Sequence, residues 1–219
     1  MSYGVILAKI LHQKYVADFL DGNLYMNTDA YFATVEPSDP LRSDTHEGVD
    51  EVRQFKEISI RDSSGNWTPI GGVKSPLMYR YGEKESRNIL CIYMFTDKPD
   101  FHFDKRNIGF GDAAVIITDL KEFVRRYKAA AQDAGKRLLH GPVEYVDKRD
   151  YHGQMGPFCK FSEYQYQSEF RFVLFGDNGE PPKPVKFSVG DIRDIAMVFS
   201  SNQLPELPKV KSQGGCNEI

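Results

Sequence analysis

Residues 164–175 read YQYQSEFRFVLF. Alternation over this stretch predicts a strand that turns Tyr164, Tyr166, Ser168, Phe170, Phe172 and Leu174 to one face and Gln165, Gln167, Glu169 and Arg171 to the other. The aromatic face is expected to pack into a core. The opposite face sets two amides, a carboxylate and a guanidinium in a row, with about 7 Å between neighbours on that face. One reading is a half-exposed antiparallel strand whose polar face is merely solvated, with a Glu169–Arg171 pair of little energetic weight. The other is a ligand site. Amide and acidic residues have poor strand propensity, so four polar residues on one face of an aromatic strand call for a reason. A Gln two residues before a Glu suits a site that orients one end of a ligand while a carboxylate faces an electron-poor carbon.

Working outward, residues 88–95 (NILCIYMF) and 113–118 (AAVIIT) are continuous apolar runs that predict central strands buried on both faces. Strands are also expected over residues 5–10, 23–28, 143–146, 185–187 and 194–199. Ser63-Ser64-Gly65-Asn66 reads as the turn of a hairpin between residues 57–61 and 67–70. The clearest helix covers residues 119–134, where Leu120, Phe123, Val124, Tyr127 and Ala131 form one stripe and Gly135 is placed to end it. Residues 12–20 predict a second helix, and Thr28 or Asp29 is suited to cap a short turn that buries Tyr31 and Phe32. About eight strands against two or three helices predict an α+β sheet domain over residues 1–204, with a frayed tail over 205–219.

The chain has 219 residues, 28 Lys+Arg against 31 Asp+Glu, and 13% aromatic residues. Its net charge of −3 dictates no partner and argues against a generic basic grip on nucleic acid. Cys91, Cys159 and Cys216 are widely spaced with no CxxC pair, which reads as cytosolic thiols. No apolar run approaches a bilayer span, and no signal-peptide pattern opens the chain. A cytoplasmic protein with no membrane partner is expected.

Three segments carry a resemblance: FLDGNLYMNTDAYF (residues 19–32), LRSDTHEG (41–48) and KFSEYQYQSEFRFVL (160–174). Together they resemble a group of bacterial and phage-associated proteins related to the ADP-ribosyltransferase fold. Gln167, Ser168 and Glu169 look like the Q-x-E form of that superfamily's catalytic motif. The order of an early strand–helix–strand, an arginine in the loop that follows and a carboxylate on a late strand is also similar. No Ser-Thr-Ser strand of the toxin type is present, and Lys9 and His12 are the nearest polar residues to an expected first-strand Arg or His.

The resemblance implies a split mixed or antiparallel sheet with flanking helices and an NAD-dependent mono-ADP-ribosyltransferase. Its acceptor would be a protein or a nucleic acid, and its setting bacteria–phage conflict, as toxin or antiviral defence effector, with a regulatory or antitoxin partner. The alternative is an inactive module that binds a nucleotide or a partner on the same fold. Glu169 would stabilise the oxocarbenium-like state formed as nicotinamide leaves the ribose, with Gln167 beside it. Arg42 is first choice for the cofactor's diphosphate, with Arg171, Lys9 and His12 behind it. Tyr25, Asn27, Tyr31 and Phe32 lie in the segment expected to contact the cofactor, although core packing is the ordinary role of such aromatics. A salt bridge from Arg42 to Asp44 or Glu47 is the competing role for Arg42. No metal is expected: Asp44, His46 and Glu47 share one loop without a second ligand group at a recognisable spacing. Lys121, Arg125, Arg126 and Lys128 make one helix basic, which is commonly a solvated face.

Overall fold

The apolar run around Leu90 becomes the axis of the molecule. The computed structural model describes residues 4–28, 31–32, 41, 44–81, 87–176 and 183–207. In chain order these form β1 (Val5–Leu11), α1 (Val16–Leu20), β2 (Asn23–Thr28), β3 (Glu51–Arg53), β4 (Ser59–Arg61), β5 (Trp67–Pro69), β6 (Leu77–Tyr79), β7 (Arg87–Thr96), β8 (Ala113–Ile117), α2 (Leu120–Asp133), β9 (Arg137–Pro142), β10 (Glu144–Val146), β11 (Gly153–Gln154), β12 (Cys159–Phe161), β13 (Glu169–Phe175), β14 (Val185–Ser188) and β15 (Ala196–Ser200). Short 3-10 helices fill several connections. The class is α+β with mostly antiparallel sheets; β10 and β12 pair parallel.

An eight-stranded sheet organises the whole. One edge of β7 pairs with β13 from Arg87 to Tyr93, and β13 continues to β9. The other edge is shared: β1 takes Tyr93 to Thr96, and β2 takes Asn88 and Ile89. Between them, residues 90–92 have no laddered partner on that edge among the described residues. β1 leaves β7 there and follows β8, while β2 follows β14. The sheet therefore parts over the middle of β7, and a cleft lies at the parting.

Apolar packing covers both faces of the sheet. On one face of the sheet, Phe123, Tyr127 and Ala131 of α2 are buried against Phe172, whose ring stacks on Tyr127 at 4.7 Å and meets Phe123 edge-on at 5.5 Å. Asp119 caps this helix by accepting from the Glu122 N–H at 2.9 Å. Gly135, at φ +63°, ends it as Lys136 N–H reaches back to the Ala131 carbonyl at 2.8 Å. Two of the helix's basic residues are engaged in ion pairs: Arg125 and Arg126 pair with Glu122, and Arg126 also with Asp194. A second cluster, around Ile10, Tyr93, Ile116 and Leu204, fills the opposite face of β1 and β8.

One expectation is corrected. Residues 164–167 are not strand: Ser162–Gln167 is a 3-10 helix, and Ser168, at φ +41°, turns the chain into β13. A left-handed residue breaks the period-two pattern, so Tyr164 and Tyr166 are only half-buried and Gln165 is exposed rather than sharing one ordered strand face. At the other end of the expected domain a 3-10 helix spans Ser201–Glu206 and buries Leu204, and residues 208–219, most of the expected tail, lie outside the described residues. Among the described residues, no helix is long and apolar enough to cross a membrane.

Candidate functional site

β13 is buried at all seven positions. Phe170, Phe172 and Leu174 face the core under α2, as alternation requires. The other face carries Glu169 and Arg171, which are 7% and 1% exposed. The solvated-face reading of this strand is thus overturned, because a second layer covers it.

That layer comes from β12 and the 44–50 loop. Cys159 and Phe161 share one face of β12 and enter an apolar cluster with Val49, Val52 and Met155. Alternation then turns Lys160 the other way, into the charges. The Lys160 ammonium donates to Gln167 Oε1 at 2.7 Å and to Glu169 Oε1 at 2.9 Å, and lies 3.4 Å from Asp44 Oδ2 and 3.8 Å from Glu47 Oε2. Arg171 donates through Nε to Glu169 Oε2 at 2.6 Å, through Nη1 to the Pro157 carbonyl, and as a two-toothed fork to Glu47. The Glu169 backbone N–H donates to the Tyr145 hydroxyl at 2.9 Å.

Ion pairing decides the protonation states. Burial alone raises a carboxyl's pKa, but Arg171 and Lys160 overcome it and hold Glu169 well below the ordinary carboxylate range. Asp44 goes the other way: desolvation dominates, and its pKa is raised despite Lys160. Burial pushes the Cys91 thiol up to about 12, which removes it as a nucleophile at neutral pH. His46 packs edge-on against Phe161 at 5.0 Å and contacts Lys148 Nζ at 2.9 Å. An ammonium can only donate, so His46 accepts as a neutral ring; burial lowers its pKa accordingly.

The cluster forms one wall of a cleft of about 890 Å³ at the parting of β1 and β2. Lys9, His12, Tyr25, Asn27, Tyr31, Phe32, Gln167, Glu169 and Arg171 all line it. Lys9 donates to the Cys91 carbonyl at 2.8 Å, filling part of the gap along β7. His12 stands at the exposed end of β1, 3.6 Å from Asp112. Tyr25 and Tyr31 are 54% and 46% exposed, which corrects the core-packing expectation for both and the expected burial of Tyr31. The Thr28 hydroxyl does cap the turn, accepting from Tyr31 N–H at 3.0 Å. Phe32 is partly buried against Ile89, Val173 and Phe175. The Asn27 side chain accepts from its neighbour's N–H, Thr28, at 3.0 Å.

Arg171, the second choice for the diphosphate, is 1% exposed and gives four hydrogen bonds to Glu169, Glu47 and Pro157. Arg42 lies outside the described residues. Asp44, Glu47 and Lys160 are the residues that motif reading missed as partners of the Gln167–Glu169 pair. One signal was available, a lysine between the apolar-facing Cys159 and Phe161. Asp44 and Glu47 look like ordinary loop acids until the loop is folded onto β13. Among the described residues, no group of His, Cys, Asp and Glu side chains is arranged to hold a metal ion.

No protein-family model matches the chain, and no characterised protein or solved structure matches it.

Proposed function

We propose that the protein is an NAD-dependent mono-ADP-ribosyltransferase built on an ADP-ribosyltransferase-like split sheet, with a cytoplasmic protein or nucleic-acid acceptor and a role in bacteria–phage conflict. The observation that carries the reading is the placement of Gln167 and an ionised Glu169 side by side in the wall of the large cleft where β1 and β2 part. As the bond between nicotinamide and ribose breaks, nicotinamide leaves with the bonding pair and positive charge develops on the sugar carbon. A fixed carboxylate stabilises that state more than the ground state. An acceptor nucleophile then closes on the same carbon, and its proton passes to water. In this reading Lys9 and His12, which line the cleft, meet the cofactor's phosphates, and the exposed rings of Tyr25 and Tyr31 stack on its rings.

A second reading is favoured by the pairing around one side chain: both Glu169 oxygens are already engaged, one by Lys160 and the other by Arg171. A carboxylate neutralised in this way stabilises an external cation less, which suits a module that binds a nucleotide without turning it over. Incubation of the protein with labelled NAD and cell lysate, followed by separate protease and nuclease digestion, distinguishes the two. Transfer of label that falls roughly 10²–10³-fold in Glu169→Gln, with the variant still folded by its melting curve, supports the transferase. NAD bound but unconsumed supports the module.

A further inference from the structure

We infer that Lys160 is the positioning residue of this site: its ammonium sets the orientation of the Gln167 amide and the placement of the Glu169 carboxylate, so that the two are held as one rigid pair. The chemical consequence of that pairing rests on the transferase reading above; the geometry does not.

Gln167 sits between two groups of opposite character. On one side is the Lys160 ammonium, which only donates, 2.7 Å from Oε1. On the other is the Leu41 carbonyl, which only accepts, 2.9 Å from Nε2. A flipped amide would set NH₂ against the ammonium and oxygen against the carbonyl, losing both bonds and making two repulsive contacts. The orientation is therefore dictated by the neighbours. The Lys160 ammonium and the Leu41 carbonyl thus grip the amide from both ends.

The same ammonium reaches Glu169 Oε1, while Arg171 takes Oε2. Each oxygen has its own cation, and the carboxylate plane is held without a contribution from the ligand. Charged and titratable groups surround it from every packed element: Lys160 on β12, Arg171 on its own strand, Tyr145 on β10 and Cys91 on β7, with Asp44 and Glu47 behind Lys160. A lysine placed only for stability would need no contact with the amide. The Lys160 donors instead go to both members of the pair, although Gln167 and Glu169 lie on different elements, a 3-10 helix and a strand.

The test uses the full chain labelled with ¹³C and ¹⁵N. The Glu169 carboxyl carbon is assigned by its loss in Glu169→Gln, and the Gln167 side-chain amide by its loss in Gln167→Leu. In Lys160→Met, the Glu169 titration midpoint is expected to rise by about one unit or more, and the Gln167 amide protons to lose protection from exchange. NAD turnover is expected to drop about tenfold or more in kcat with KM little changed. Lys160→Gln provides a second reading if the Met variant does not fold: it restores a donor but no charge, so the Gln167 amide stays protected while the Glu169 midpoint still rises. A Glu169 midpoint and a Gln167 amide unmoved in the folded variants overturn the inference. A wild type that leaves NAD intact overturns the transferase reading alone, and the two resonances still decide the role of Lys160.

Discussion

The Arg171 guanidinium grips the Glu47 carboxylate with both teeth, Nη1 to Oε1 at 2.9 Å and Nη2 to Oε2 at 2.7 Å, across 124 residues of sequence. Both side chains are buried. This contact ties the loop that carries Asp44 to the strand that carries Glu169. Removing either partner leaves a buried charge with its best-formed contact gone, Arg171 with Glu169 alone and Glu47 with the more distant Lys160, so Glu47→Leu and Arg171→Met should each cost about 3–5 kcal/mol. The double variant should cost less than the sum, because the two side chains contact each other directly. Urea midpoints across the four proteins measure the coupling.

Asp44 and Glu169 should shape the acid profile in opposite senses. The Glu169 pKa is depressed, so its contribution to stability is present above the unfolded carboxylate value and is lost as pH falls through the folded one. The Asp44 pKa is raised above its ordinary 3.8, so its contribution is full below that value and is lost as pH rises through the folded value. Asp44→Asn should therefore gain on wild type as pH climbs from below 4 toward neutrality. Thermal melts at several pH values check this, and an advantage for Asn that shrinks with rising pH would contradict it.

Tyr25 and Tyr31 present exposed rings to the cleft while contributing little to the core. Their replacement by Ala should leave stability within about 0.5 kcal/mol. Nucleotide binding should weaken by up to about tenfold for each, the worth of one aromatic contact. Calorimetric titration with NAD beside a melting curve separates these effects.

Gly22 and Gly48 offer a matched pair. Both have positive φ, +78° and +77°. A Cβ on Gly22 would lie 1.8 Å from the Gly190 carbonyl oxygen, where the chain closes β2 onto β14, whereas one on Gly48 meets nothing within 4 Å. Gly48→Ala should cost about 1–2 kcal/mol, the left-handed backbone penalty. Gly22→Ala should cost about 3 kcal/mol or more, since close approach adds to strain. Denaturant melts of the two variants give the difference.

The elements whose residues answer to local rules were legible in the sequence. The stripe of Phe123, Tyr127 and Ala131, the Asp119 cap and Gly135 define α2 by themselves, and the apolar runs at 88–95 and 113–118 became β7 and β8. The Gln167–Glu169 pair was also visible as a pair. Its setting was not, because Ser168 adopts a left-handed backbone that alternation cannot foresee, and the pair straddles a 3-10 helix and a strand instead of one strand face.

Local chemistry along the chain thus determined the α+β class, the long helix and the two residues at the centre of the site. Tertiary structure alone decided that Arg171 is buried in ion pairs with Glu47 and Glu169, that Lys160 joins the site, and that Asp44 and Glu47 are buried. The reason is desolvation. A charge's partner in the interior is whichever opposite charge the fold brings within about 4 Å, and these partners lie as far as 124 residues apart, beyond any spacing a motif can encode.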